Sequence, residues 1–74
     1  MSFEQQTLRI ERLIWLINCS NTGTAEVLAR KLSVSRRTVF NDLDFLKGKG
    51  YSIVFSHIAD SYLFEEKQNN LKLF

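Results

Sequence analysis

Apolar residues recur early in the chain at Phe3, Ile10, Leu13, Ile14 and Ile17, which places them on one side of a helix with 3.6 residues per turn. Ser2 followed by Gln5 is a capping-box signature ahead of that stripe, so the pattern predicts a first helix over about residues 3–18. The stretch "NCSNTG" at 18–23 is rich in turn formers and ends it. Thr24 then offers a cap for a second helix whose stripe, Ala25, Leu28, Ala29 and Leu32, covers only two turns. "SVS" at 33–35 breaks the period. Ser35 is placed to cap a third helix, over about 35–47, with Val39, Leu43 and Leu46 facing inward.

"KGKG" at 47–50 supplies the next stop, and the period then changes from helical to extended. "YSIVFS" and "SYLFEE" are β-branched and aromatic runs separated by "HIAD", the signature of a two-stranded hairpin with a short loop. The expected fold is mainly α with a small β-hairpin: three helices followed by two strands, in one domain over residues 1–66. A tail over 67–74 follows, polar but ending in the apolar Leu71, Leu73 and Phe74.

Two short helices joined by a tight turn form a helix-turn-helix unit, whose second helix enters the DNA major groove, and a hairpin after it forms a wing. The stretch "TAEVLARKLSVSRRTVFNDLDFLKGKGYSI", followed by "SYLFEE", resembles the winged helix-turn-helix modules of bacterial transcription regulators. The resemblance is to the DeoR-like and biotin-repressor-like N-terminal type in particular. It covers residues 10–65 and rests on a Thr, small and acidic run, Leu-Ala, a Ser-Arg-Arg-Thr-Val helix start and a Tyr-containing return strand. It implies a three-helix winged helix-turn-helix fold and binding to double-stranded DNA in transcription regulation.

Charge changes the picture through its distribution, since the net charge is only +2. Residues 24–50 carry Arg30, Lys31, Arg36, Arg37, Lys47 and Lys49 against Glu26, Asp42 and Asp44, so the rest of the chain is slightly acidic. Such a local concentration on a helical segment suits a phosphate-bearing partner. At 74 residues the chain has room for one small core, worth about 3–5 kcal/mol of net stability.

The candidate DNA-binding residues follow from helical phase. With Val39, Leu43 and Leu46 inward, Arg37, Asn41 and Asp44 point away, and Arg36, Thr38 and Phe40 lie on the flanks. Arg37 and Asn41 are one turn apart on the outward side, where Arg suits guanine and Asn suits adenine in bidentate pairs worth roughly 1–3 kcal/mol each. The unpaired amides at the helix start, with Arg36 and Arg37, form a positive end suited to phosphate or base edges. Ser35 and Thr38 carry hydroxyls that either cap the helix, bond phosphate, or do both. Arg30 and Lys31 on the second helix either reach the phosphates that this helix crosses or belong to a solvated face. Lys47 and Lys49 suit the helix C-terminus through its dipole alone. Val34 is the expected plug of the corner between the two helices.

Departures from the family pattern are specific. Ser33 stands where Gly is common in the turn, Asn41 stands where Arg is common, and the wing tip "HIAD" has no Lys or Arg and includes Asp60. His57 reads as a solvated loop residue, with donation to a phosphate as the other reading. A second function class therefore stands beside DNA binding: a winged-helix protein–protein interaction module without specific DNA binding.

No nucleophile, base and orienter set, Gly-rich phosphate loop or paired carboxylate cleft is present, so no enzyme is expected. Cys19 and His57 make no metal set, no cofactor is implied, and no small-molecule site is identifiable. Cys19 is expected as a small buried or half-buried filler rather than a redox sensor. "LIWLI" at 13–17 is far too short to span a membrane, and a reducing cytoplasm suits the single cysteine. Finally, Leu8 and Trp15 lie opposite Ile10 on the first helix, sharing an outward face that the core does not use. Two covers suit it: the tail residues Leu71, Leu73 and Phe74, or the same face of a second copy in a homodimer.

Overall fold

The computed structural model describes residues 3–65, with helices α1 (Phe3–Asn18), α2 (Ala25–Leu32) and α3 (Arg36–Gly48), and strands β1 (Ile53–Ser56) and β2 (Ser61–Phe64). The Ser2–Gln5 cap, the inward placement of Phe3 and the 67–74 tail lie outside the described residues or side chains. The element order is the one expected, three helices and then a hairpin. The strands pair antiparallel in the register Ile53 with Phe64, Val54 with Leu63, Phe55 with Tyr62 and Ser56 with Ser61. "HIAD" forms the whole connecting loop. This is a mainly helical, three-helix winged helix-turn-helix fold.

Each helix ends in the same way, and the endings explain the boundaries. Ser20 (φ 54°), Ser33 (φ 59°) and Gly50 (φ 105°) turn the chain left-handed. The next amide then bonds back five residues: Asn21 to the Leu16 carbonyl, Val34 to that of Ala29, and Tyr51 to that of Leu46. This is the Schellman closure, which satisfies carbonyls that the helix leaves open. It also shortens the first strand from the expected "YSIVFS", because Tyr51 is committed to closing α3. The ladder regains one bond beyond the strand pair, from the Glu65 amide to the Ser52 carbonyl at 2.8 Å.

Leu13, Leu16, Ile17, Leu28, Ala29, Leu32, Val39, Leu43, Leu46 and Ile53 form the core, with Val34 packed against it as the expected plug. The α1 stripe needs a correction. Its buried face is Leu13, Leu16 and Ile17, whereas Ile10 and Ile14 are half-buried. They line a groove of about 410 Å³ against Phe45, Leu46 and Tyr51. The face that meets the other helices is thus rotated toward Leu16 and brings Arg9 with it.

That rotation is what seats the one ion pair between α1 and α3 among the described residues. Arg9 Nε and Nη2 donate to Asp42 Oδ2 and Oδ1 at 2.6 and 3.0 Å, with side chains only 10% and 4% exposed. The bond to Asp42 holds the Arg9 guanidinium protonated beyond its ordinary range, against the opposing effect of burial. A second buried polar cluster joins the α1–α2 turn to β2. The Thr22 amide donates to Ser61 Oγ at 3.1 Å, and the Tyr62 amide donates to Thr22 Oγ1 at 2.8 Å. Both side chains are fully buried, so these bonds replace a missing ladder between the turn and the hairpin.

Candidate nucleic-acid interface

The turn between α2 and α3 consists of Ser33, Val34 and Ser35. Left-handed Ser33 reverses the chain, Val34 fixes the corner from inside, and Ser35 starts α3 in an extended conformation (φ −79°, ψ 162°). Ser35 Oγ accepts from the Thr38 amide at 3.1 Å and pairs with Thr38 Oγ1 at the same distance. Of the two readings for these hydroxyls, capping is therefore occupied; phosphate binding by them would be additional to it. Val39 N–H bonds to the Ser35 carbonyl, while the amides of Arg36 and Arg37 have no partner among the described residues and remain as donors at the positive helix end.

Helical phase places the candidate residues as expected. Arg36, Arg37, Asn41 and Asp44 are exposed, Thr38 is half-buried, and Val39, Leu43 and Leu46 are inward. The first turn of α3 holds no acidic residue, and the flanking Phe40 is 43% exposed. The outward side of α3 thus presents two arginines, an amide side chain and an apolar ring within three turns, with Asp44 toward its far end.

Arg30 and Lys31 separate from each other. Arg30 is exposed, whereas the Lys31 ammonium donates to the Asn21 carbonyl at 2.6 Å and thereby caps the end of the preceding turn. Lys49 lies over the Phe45 ring, 5.4 Å from its centroid, and Lys47 is exposed in the last turn of α3.

Tyr62 was not among the residues expected at this site. Its ring meets Phe55 edge-on at 5.0 Å across the hairpin, and Phe55 meets His57 in the same way at 5.1 Å. Burial pushes the Tyr62 phenol above its ordinary pKa, and the Arg36 charge pulls it the other way. The return strand therefore carries a phenol close enough to feel the start of α3. The sequence signal was available in the cross-strand position of "SYLF" opposite "IVFS", but only once the register was known.

The wing tip is apolar and weakly charged. Ile58 is fully exposed, Ser56 Oγ accepts from the Ala59 amide at 3.1 Å, and Asp60 takes a left-handed turn conformation (φ 53°). His57 is exposed in this loop. Leu8 and Trp15 are 65% and 60% exposed on α1, away from the α3 residues in sequence and element. Cys19 requires a correction, since it is exposed rather than buried. Its amide still bonds to the Trp15 carbonyl at 3.0 Å, so it keeps the helical phase and falls on the outward side with Trp15.

Among the described residues no cluster of His, Cys, Asp and Glu could hold a metal ion, and no helix is long and apolar enough to cross a membrane. A protein-family model described as an HTH domain matches residues 9–56, from the Arg9 that pairs with α3 to the last residue of β1. No curated protein and no solved structure matches the chain.

Proposed function

The chain belongs to this helix-turn-helix domain family, and from that premise we propose that it binds double-stranded DNA sequence-specifically through α3. The observation that carries the reading is the Ser35-capped start of α3, where Arg36, Arg37 and Asn41 are exposed and the first turn is free of acids. Arg37 and Asn41 read base edges. Arg36, the open amides and Arg30 hold phosphates, with Ser35 and Thr38 contributing through their hydroxyls and Lys31 as an auxiliary cation near the backbone.

The reading extends to a bacterial transcription regulator, or its DNA-binding module, of DeoR-like or biotin-repressor-like type, acting in the cytoplasm. Its support is the "SRRTV" helix start and the return strand "SYLFEE". The wing, lacking a cation at its tip, is not assigned a role in the minor groove.

Selection from a pool of random duplexes, read by sequencing at two salt concentrations, tests this function. An enriched motif with retention that falls steeply as salt rises is expected, because counterion release dominates phosphate binding. Salt-dependent retention without an enriched motif would remove sequence specificity. Absence of retention at low salt would leave the fold as a protein-docking module.

A further inference from the structure

We propose that two copies of the chain pair through the outward faces of their first helices, with the two α1 helices parallel and related by a two-fold axis. Leu8 and Trp15, 65% and 60% exposed, lie within about 20° of each other around the helix, and Cys19 lies within about 40° of both. Together they form one line along α1. Trp is a residue type that anchors interfaces, Leu8 extends the apolar line two turns away, and pairing removes both from water.

The charges beside this line decide the occupant and its direction. Glu11 and Arg12 are exposed and lie about 50° to either side of the Leu8–Trp15 line. Neither has a hydrogen bond or ion pair to another described residue. In a parallel pair, opposite flanks of the two helices meet, as at the flanking positions of a coiled coil. Glu11 of each copy then faces Arg12 of the other at nearly the same height, giving two reciprocal ion pairs. In an antiparallel pair like flanks meet, which sets Glu11 against Glu11 and Arg12 against Arg12. The face is therefore self-complementary in one direction and self-repelling in the other.

The same geometry brings the two Cys19 thiols together. Parallel helices in register hold equivalent seam residues at neighbouring distance, whereas antiparallel pairing of Leu8 with Trp15 would separate the cysteines by about 22 Å along the axis. Nothing in this arrangement uses α3, so Arg37 and Asn41 stay open in both copies. The seam is short, so association belongs to high protein concentration, unlike the broad interfaces of obligate dimers.

Sedimentation of the full chain over a rising concentration series, together with treatment by a short bismaleimide that joins two thiols, tests the proposal. Expected are a reversible monomer–dimer equilibrium and a cross-linked dimer that Cys19→Ser abolishes. Trp15→Ser should weaken association at least tenfold with an unchanged circular dichroism spectrum. Glu11→Arg and Arg12→Glu should each weaken it alone, and their equimolar mixture should associate again, which a folding defect could not produce. A wild type that stays monomeric throughout the series overturns the proposal. So does a dimer that forms without Cys19 cross-linking, because its helices would not be parallel. Neither result touches the DNA-binding reading, which the duplex selection tests separately.

Discussion

Arg9 on α1 grips Asp42 on α3 with two nearly parallel hydrogen bonds of 2.6 and 3.0 Å, almost out of contact with water. The pair joins the first helix to the helix proposed to read DNA, so it fixes the position of α3 as well as its stability. A bidentate guanidinium–carboxylate pair allows little sliding.

Removing Arg9 leaves the Asp42 carboxylate, 3% exposed, as a buried charge without its guanidinium, which costs about 3–5 kcal/mol. That is comparable with the whole net stability of a core this small, about 3–5 kcal/mol. Arg9→Ala is therefore expected to be largely unfolded at room temperature. The double variant Arg9→Met with Asp42→Leu should fold, since an apolar pair of similar volume replaces the ion pair at little cost or with a gain. Urea unfolding followed by circular dichroism checks both, and equal stabilities for Arg9→Ala and the wild type would contradict the buried pairing.

This pair also marks where the sequence was and was not legible. Val39, Asp42, Leu43 and Leu46 have the full i, i+3, i+4, i+7 spacing of a core stripe, so an acid at the second position was a readable demand for a buried cation. Identifying Arg9 required the rotation of α1 about its axis, and that rotation is set by how α1 meets α2 and β2 rather than by its own periodicity. The same rotation moved Leu16 into the core and left Ile10 and Ile14 at its edge. The helix-turn-helix start, by contrast, was legible because caps and turns are local: Thr24 and Ser35 cap as their identities require. Thr22 and Ser61 were opaque for the opposite reason. Their bonds join positions far apart in sequence, and in a polar turn each looks like an ordinary solvated residue. The influence of Arg36 on Tyr62 was hidden in the same way, because it joins residues far apart in sequence.

Ser33 stores a cost that one substitution should remove. It sits at φ 59°, ψ 44° after α2, where a Cβ costs roughly 1–2 kcal/mol. Glycine avoids that cost but is freer in the unfolded chain by about 0.4–1 kcal/mol. Ser33→Gly is therefore expected to stabilise the domain by about 0.5–1 kcal/mol, with Ser20→Gly behaving similarly at φ 54°. Thermal unfolding of the three proteins measures it. A loss of stability in Ser33→Gly would show that the serine hydroxyl contributes more than the backbone loses.

Tyr62 gives the domain an alkaline limit. Its phenol is raised above the ordinary value of 10.0, chiefly by burial and against the pull of Arg36. The folded state then holds the proton longer than the unfolded state. The stability linked to this group is present below pH about 10 and lost as pH rises through the higher folded-state value. The wild type should therefore lose stability relative to Tyr62→Phe only above that pH. Arg36→Ala should raise the Tyr62 midpoint further by removing the opposing charge, as read from the ring resonances in an NMR titration. A midpoint that does not move would place the Arg36 guanidinium away from the phenol.

The division of labour between α3 and α2 leads to contrasting losses in DNA binding. Arg37 is exposed near the capped start of α3, with Asn41 one turn further along the same outward side. A residue there reaches base edges, so Arg37→Ala should relax preference at one position of the site by about 1–3 kcal/mol. Arg30 lies on α2, which crosses the sugar–phosphate backbone in this fold class. Arg30→Ala should weaken every sequence alike and reduce the slope of log K against log salt by about 1. The wing supplies an internal control. Ile58 is fully exposed at a tip with no Lys or Arg, so replacing Ile58 and Ala59 with Gly should change affinity by no more than about threefold, or roughly 0.7 kcal/mol. Binding profiles of the three variants across one duplex library separate these outcomes. Equal, sequence-independent losses for Arg37→Ala and Arg30→Ala would remove Arg37 from the base-reading role, and a loss beyond tenfold in the folded wing variant would bring the wing onto the DNA.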